Sequence, residues 1–215
     1  MNSSATKKHS PDKLSFVRFS VLLAVEIVFC FTPLGTLPAL GPLSATLSHV
    51  PVIVTAIVMG PLWGSAMGFA FGACSFIYWT FVAPGVFSFI YTPFVSAVGA
   101  EGNPASLLIC FVPRILIGFV AGMLFAKLRG TGLSERICAV IAGAAGSLVN
   151  TFLVLGGIWV FFASEYSALV GSGKAIYSIL GLTVLTNGLP EAVIGAAVAS
   201  LIALPVRKTV NKHYR

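Results

Sequence analysis

From position 107 to 125 the chain reads LLICFVPRILIGFVAGMLF, nineteen residues carrying one charge, Arg114. At about 1.5 Å per helical residue such a run reaches most of the way across the ~30 Å hydrocarbon core of a bilayer. Other runs of similar length and polarity recur along the chain. Of its 215 residues, 57% are hydrophobic and 9% charged, where a soluble domain carries about a quarter charged residues. Inside lipid every backbone amide needs an internal partner, which leaves helices and closed barrels. The period-two alternation of a barrel strand is absent, so the fold class is an all-α integral membrane protein.

Apolar runs place spans near 16–34, 45–60, 64–79, 104–126, 137–162 and 175–204, a six-transmembrane-helix bundle. Lys7, Lys8, Lys13 and Arg18 precede the first span. Lys127, Arg129 and Arg136 separate the fourth from the fifth, and Arg207, Lys208, Lys212 and Arg215 follow the sixth. With six spans, 11 of the 13 basic residues then fall on one side. The positive-inside rule makes that side, and both termini, cytoplasmic. The domain division is a basic tail (1–15), a membrane domain (16–204) and a second basic tail (205–215). The first run is long, lacks a small-residue cleavage site and reads as a retained span. A net charge of +7 gathered at membrane edges argues for a lipid bilayer as partner and against nucleic acid.

Two irregular stretches interrupt this pattern. Residues 32–46, TPLGTLPALGPLSAT, are rich in proline and glycine and carry no charge. Irregular backbone this apolar is tolerated where protein covers it or where it lines a cavity. It reads either as a tight connection or, preferably, as a lid over an outward-facing pocket. Residues 81–100 are broken by Pro84, Gly85 and Pro93 and read as an outer loop or half-helix dipping into the protein. Trp79, Tyr91, Trp159 and Tyr166 then form an outer aromatic belt. Small residues repeat at four-residue spacing (Gly64, Gly68, Gly72; Ala139, Gly143, Ser147; Gly195, Ala199, Ala203; Gly118, Gly122), the pattern that lets helix backbones approach closely.

A polar set lies deep within the spans. Arg114 is ten residues into the fourth, roughly 15 Å from its end. Glu26 is equally deep in the first, Asn150 is mid-way along the fifth, and Asn187 and Glu191 share one face of the sixth at i, i+4 spacing. A central charge costs at least ~2.5–3.5 kcal/mol and faces a partner or a wet cavity. Arg114 paired with Glu191 or Glu26 would pin helices together; five polar groups exceed what one such pair requires and favour a ligand site. His49, at the outer end of the second span, either borders that site or caps a helix in water. The cysteines Cys30, Cys74, Cys110 and Cys138 stand singly among apolar residues, without metal-ligand or disulfide spacing. No metalloprotease, nucleophile-elbow or nucleotide-binding motif is present, so neither an enzyme nor a bound cofactor or metal is expected. Energy for any active transport must come from another protein.

FTPLGTLPALGPLSATLSHVPVIVTAIVMGPLWGSAMGFAFGACSF (31–76), PRILIGFVAGM (113–123), GSLVNTFLVLGG (146–157) and NGLPEAVIGAAVA (187–199) resemble the substrate-binding (S) components of energy-coupling factor (ECF) vitamin transporters. The resemblance touches every expected span. It implies a bacterial plasma-membrane protein that takes a small vitamin from outside. It also implies docking on a membrane-embedded coupling (T) subunit driven by two cytoplasmic ATPases, with toppling in the membrane to release the cargo inward. The family docks through an AxxxA pattern on the first helix, matched here by Ser20 and Ala24, with serine replacing the first alanine. GSxxNT and NxxxE are most similar to pantothenate-type members. That assigns Arg114, Asn150, Thr151, Asn187, Glu191 and His49 to substrate binding, with Arg114 suited to a carboxylate. Riboflavin-type members are similar over 31–61, so riboflavin or another micronutrient is the alternative substrate. A membrane-embedded enzyme or assembly factor is the alternative class.

Overall fold

The computed structural model describes residues 13–35, 46–95, 102–170 and 176–212. In chain order the helices are α1 (Lys13–Phe31), α2 (Val50–Met59), α3 (Pro61–Ile77), α4 (Ala105–Leu128), α5 (Glu135–Phe161), the short α6 (Ala163–Val170), α7 (Ile176–Thr183), α8 (Leu189–Val198) and α9 (Leu204–Lys212). A π-helical turn, Tyr78–Val82, extends α3. Two more, Val184–Gly188 and Ala199–Ala203, join α7, α8 and α9 end to end. Each of these two lies just ahead of a proline, Pro190 or Pro205. A proline inside a helix withdraws one N–H and crowds the carbonyl four residues back. A widened turn absorbs that mismatch and lets the helix run on.

Among the described residues five helical stretches are long and apolar enough to cross a membrane: Lys13–Phe31, Pro61–Val82, Ala105–Thr131, Glu135–Phe161 and Leu180–Val210. The expected second span, 45–60, is different. Its helix, α2, has ten residues, about 15 Å, half the thickness of the apolar core. Pro51 stands in its first turn, where a missing N–H is harmless; one turn deeper, its ring would crowd the Leu47 carbonyl. That carbonyl accepts from Val50 N instead, at 2.9 Å. At the other end Gly60, at φ +100°, turns the chain directly into α3.

The basic ends of the helices meet at one end of the bundle. Phe16 of α1 packs edge-on against Trp63 of α3 (6.1 Å between ring centres), and Pro61 lies against Gly122 of α4. Arg207 of α9 reaches Glu135 of α5 at 3.3 Å and covers the Phe125 ring. The small residues work as their spacing predicts. A Cβ on Gly118 would run into the Gly64 backbone, one on Gly68 into the Arg114 carbonyl, and one on Gly143 into that of Gly195. Among α1 residues only Glu26 is buried; the rest of that helix offers an apolar surface on which Ser20 and Ala24 are exposed.

The core divides in two. One cluster, built around Ile53, Met67, Ile117, Ala139 and Ala199, lies toward the basic end. The other, built around Phe89, Ile90, Ile109, Ile158 and Tyr166, lies toward the opposite end. The stretch from Ser88 to Thr92 is buried and dips into the protein as expected, while residues 96–101 lie outside the described residues. So do residues 36–45 of the expected lid; its flanks meet where Leu47 N donates to the Gly35 carbonyl at 2.8 Å. The aromatic belt needs correcting. Trp159 is exposed, but Tyr91 and Tyr166 are core residues, because 88–92 turns inward and α6 folds over it, with Phe87 and Tyr166 in ring contact at 5.8 Å.

Candidate functional site

The polar residues occupy the seam between the two apolar clusters. Arg114 falls between Ile109 and Ile117 on α4. Asn150 and Thr151 fall between Ala142 and Val154 on α5. Asn187 lies in the π turn before α8, with Glu191 in the first turn of α8 itself. These five line a single cavity whose empty space, open mouth included, is about 440 Å³. Val154 and Leu155 give it an apolar wall.

Arg114 is 6% exposed. Its NH1 donates to the Ile109 carbonyl at 2.7 Å, and its guanidinium carbon lies 5.0 Å from the Tyr91 ring centre and 5.5 Å from that of Phe71. Such ring faces attract a desolvated cation. Neither expected structural partner neutralises it. Among the described residues the ion pairs are Arg129–Glu135 and Arg207–Glu135, both at the basic end. Glu191 faces the same cavity but is engaged by the protein: Oε1 accepts from the Thr46 backbone N–H at 2.7 Å. Thr151 Oγ1 lies 3.3 Å from both Glu191 Oε2 and the Ser147 carbonyl and gives its one proton to either. Asn150 Oδ1 is buried with no hydrogen bond among the described residues.

Glu26 does not join this set. It is fully buried on α1 but is not among the lining residues; its Oε1 accepts from Cys30 Sγ at 3.1 Å. The expected convergence therefore holds for one cation, one carboxylate and two amides, and loses its second carboxylate. His49 is fully buried just before α2 and also lies outside the lining, against the Thr46 backbone. Full burial excludes a water-facing cap.

Beyond the expected set the lining holds Val154, Leu155, Tyr91, Thr183 and Thr46, the last at the end of the 32–46 stretch read as a lid. Thr183 carried a usable signal, since it precedes Asn187 and Glu191 at successive four-residue steps. Tyr91 follows from the inward dip of 81–100 once that segment is taken as covering the site. Thr46 engages Glu191 through its backbone N–H, a contact no side-chain pattern marks.

Chemically, the cavity presents a positive fork against two ring faces, a carboxylate held by donors, two amides and the hydroxyl-bearing residues Thr46, Tyr91, Thr151 and Thr183. It can hold a small molecule with an anionic end by charge-assisted bonds and read amide or hydroxyl groups along the rest. Among the described residues no group of three or more His, Cys, Asp or Glu is placed to hold a metal ion.

A family model described as "ECF transporter, substrate-specific component" matches residues 14–206. The pantothenic acid transporter PanT of Lactococcus lactis subsp. cremoris (strain MG1363) is 33% identical over 171 residues, 79% of this chain and 81% of that protein. Among solved structures, the S-component for biotin from an ECF-type ABC transporter superposes over 92% of this chain and 91% of its own. The TM-score is 0.58 at 17% identity, a likeness of fold.

Proposed function

Because the chain belongs to the substrate-specific (S) components of ECF transporters, we propose that it captures pantothenate in the Arg114 cavity and hands it inward through an ECF complex. The family consists of transport components and not enzymes, so a catalytic reading of the buried polar set falls away.

The observation that carries the substrate is Arg114: a cation with no ion-pair partner among the described residues, lining a cavity together with two amides and a carboxylate. Pantothenate has a carboxylate at one end, a central amide and two hydroxyls. Arg114 takes the carboxylate, Asn150 and Asn187 read the amide and hydroxyls, and Thr151 and Glu191 complete the polar wall. The PanT relative supports the same choice. Riboflavin, the alternative, is uncharged and leaves the guanidinium without a role.

In this account the protein is a multi-pass component of the bacterial plasma membrane with residues 1–15 and 205–215 in the cytoplasm. The common basic end supports that orientation. The expected second span, of which α2 is the helical part, supplies the sixth crossing. Ser20 and Ala24, exposed on the apolar face of α1, meet the coupling subunit, since small side chains let helix backbones touch. Two cytoplasmic ATPases energise that complex. Calorimetry of the purified chain in lipid nanodiscs tests the substrate. Saturable binding of pantothenate, with riboflavin and biotin inert, is expected. Saturable riboflavin or biotin binding without pantothenate binding would overturn the assignment.

A further inference from the structure

Pro113 sits in the interior of α4, a 24-residue helix, where proline is the residue a helix accepts least. It cannot donate to the carbonyl four residues back, which is that of Ile109. The group that reaches this carbonyl is Arg114 NH1, at 2.7 Å. A buried carbonyl needs a donor and a buried guanidinium needs acceptors. Pro113 creates the first need one residue away from the side chain that answers it. The other supports of the guanidinium are the Tyr91 and Phe71 ring faces. All three are neutral. A carboxylate would have fixed the arginine equally well and cancelled its charge.

We infer that Pro113 is a positioning residue for anion recognition: by withdrawing the backbone donor from Ile109, it lets a neutral carbonyl anchor Arg114 while the positive charge stays available to the ligand. With alanine at 113 the backbone N–H reclaims the Ile109 carbonyl, NH1 loses its anchor, and the guanidinium leaves its orientation toward the cavity. The inference rests on the reading of this cavity as the site of an anionic vitamin.

The test compares pantothenate with panthenol, its neutral alcohol, on the full-length chain in nanodiscs. Wild type, Pro113→Ala, Arg114→Gln and the double variant are each measured, together with their thermal unfolding. Wild type should prefer the acid. Pro113→Ala should reduce that preference by about tenfold or more, through weaker acid binding alone, with alcohol affinity held and the unfolding midpoint unchanged or raised. In the Arg114→Gln background the same substitution should change neither affinity. A Pro113→Ala protein that keeps the wild-type preference would overturn the inference. So would equal loss for both ligands, which is a general structural effect, or an equal effect with and without Arg114. A wild type indifferent to the carboxylate would instead remove the anionic-vitamin reading, and this inference with it.

Discussion

On either side of Arg114, α4 packs in two contrasting ways. Toward Phe125, Gly118 and Gly122 bring it against Gly64 and Pro61 so closely that a single methyl group would collide with backbone. Toward Ala105 Gly72 still approaches Cys110 and Phe111, but large rings gather around this half: Phe89 lies edge-on to Phe162 at 5.3 Å, and Tyr91 stacks on Trp79 at 5.5 Å. Backbone on backbone leaves no space. Flat rings meeting at fixed angles fill volume less evenly, and the cavity opens at the boundary between the two regimes. In a bilayer, where lipid tails are as apolar as leucine, close small-residue packing is a main source of helix association. One half thus provides cohesion and the other provides room for a ligand.

The comparison breaks most severely at Gly118. Gly118→Leu forces a four-carbon side chain into the Gly64 backbone, and overpacking of that size costs about 1–3 kcal/mol even where neighbours yield. Here the neighbour is a helix backbone. The expected outcome is loss of a monodisperse, thermally cooperative protein, read by size exclusion and unfolding in detergent. A well-folded Gly118→Leu protein would mean that α3 and α4 do not depend on this contact.

Smaller and more local is Glu191→Ala. It strands the Thr46 N–H, at about 1–3 kcal/mol for a buried group left unpaired, and leaves Thr151 only the Ser147 carbonyl as acceptor. Pantothenate affinity should fall by roughly 5- to 100-fold in a folded protein, and Glu191→Gln, which keeps an acceptor for Thr46, should recover part of it. Equal losses in the two variants would place the role of Glu191 in its charge. The smallest effect belongs to Glu26→Gln. Glu26 lies outside the cavity lining, so affinity should stay within about twofold of wild type; a large loss would bring α1 back into the site.

These cases also mark what the chain announces about itself. The long spans, the close-packed glycines and the meeting of Arg114, Asn150, Asn187 and Glu191 follow from apolar length, four-residue spacing and the expense of polar groups in lipid. Glu26 satisfies the same reasoning and lands elsewhere, because depth along a helix does not fix the direction in which it faces. The shortness of α2 is set by Pro51 and Gly60, two residues that an apolar-run argument passes over. Tyr91 was legible as aromatic but not as buried, since its position depends on how 88–92 folds back over α4. Thr46 contributes through its main chain, which no residue type encodes.

The most direct test of the central claim measures thermal stability and pantothenate affinity on one preparation of Arg114→Gln. Neutral supports hold Arg114, so no buried counter-charge is abandoned when it is replaced, and the variant should fold. Loss of a charge-assisted bond should weaken pantothenate roughly 10- to 100-fold with little change in unfolding temperature. A folded Arg114→Gln protein with unaltered affinity would contradict the account.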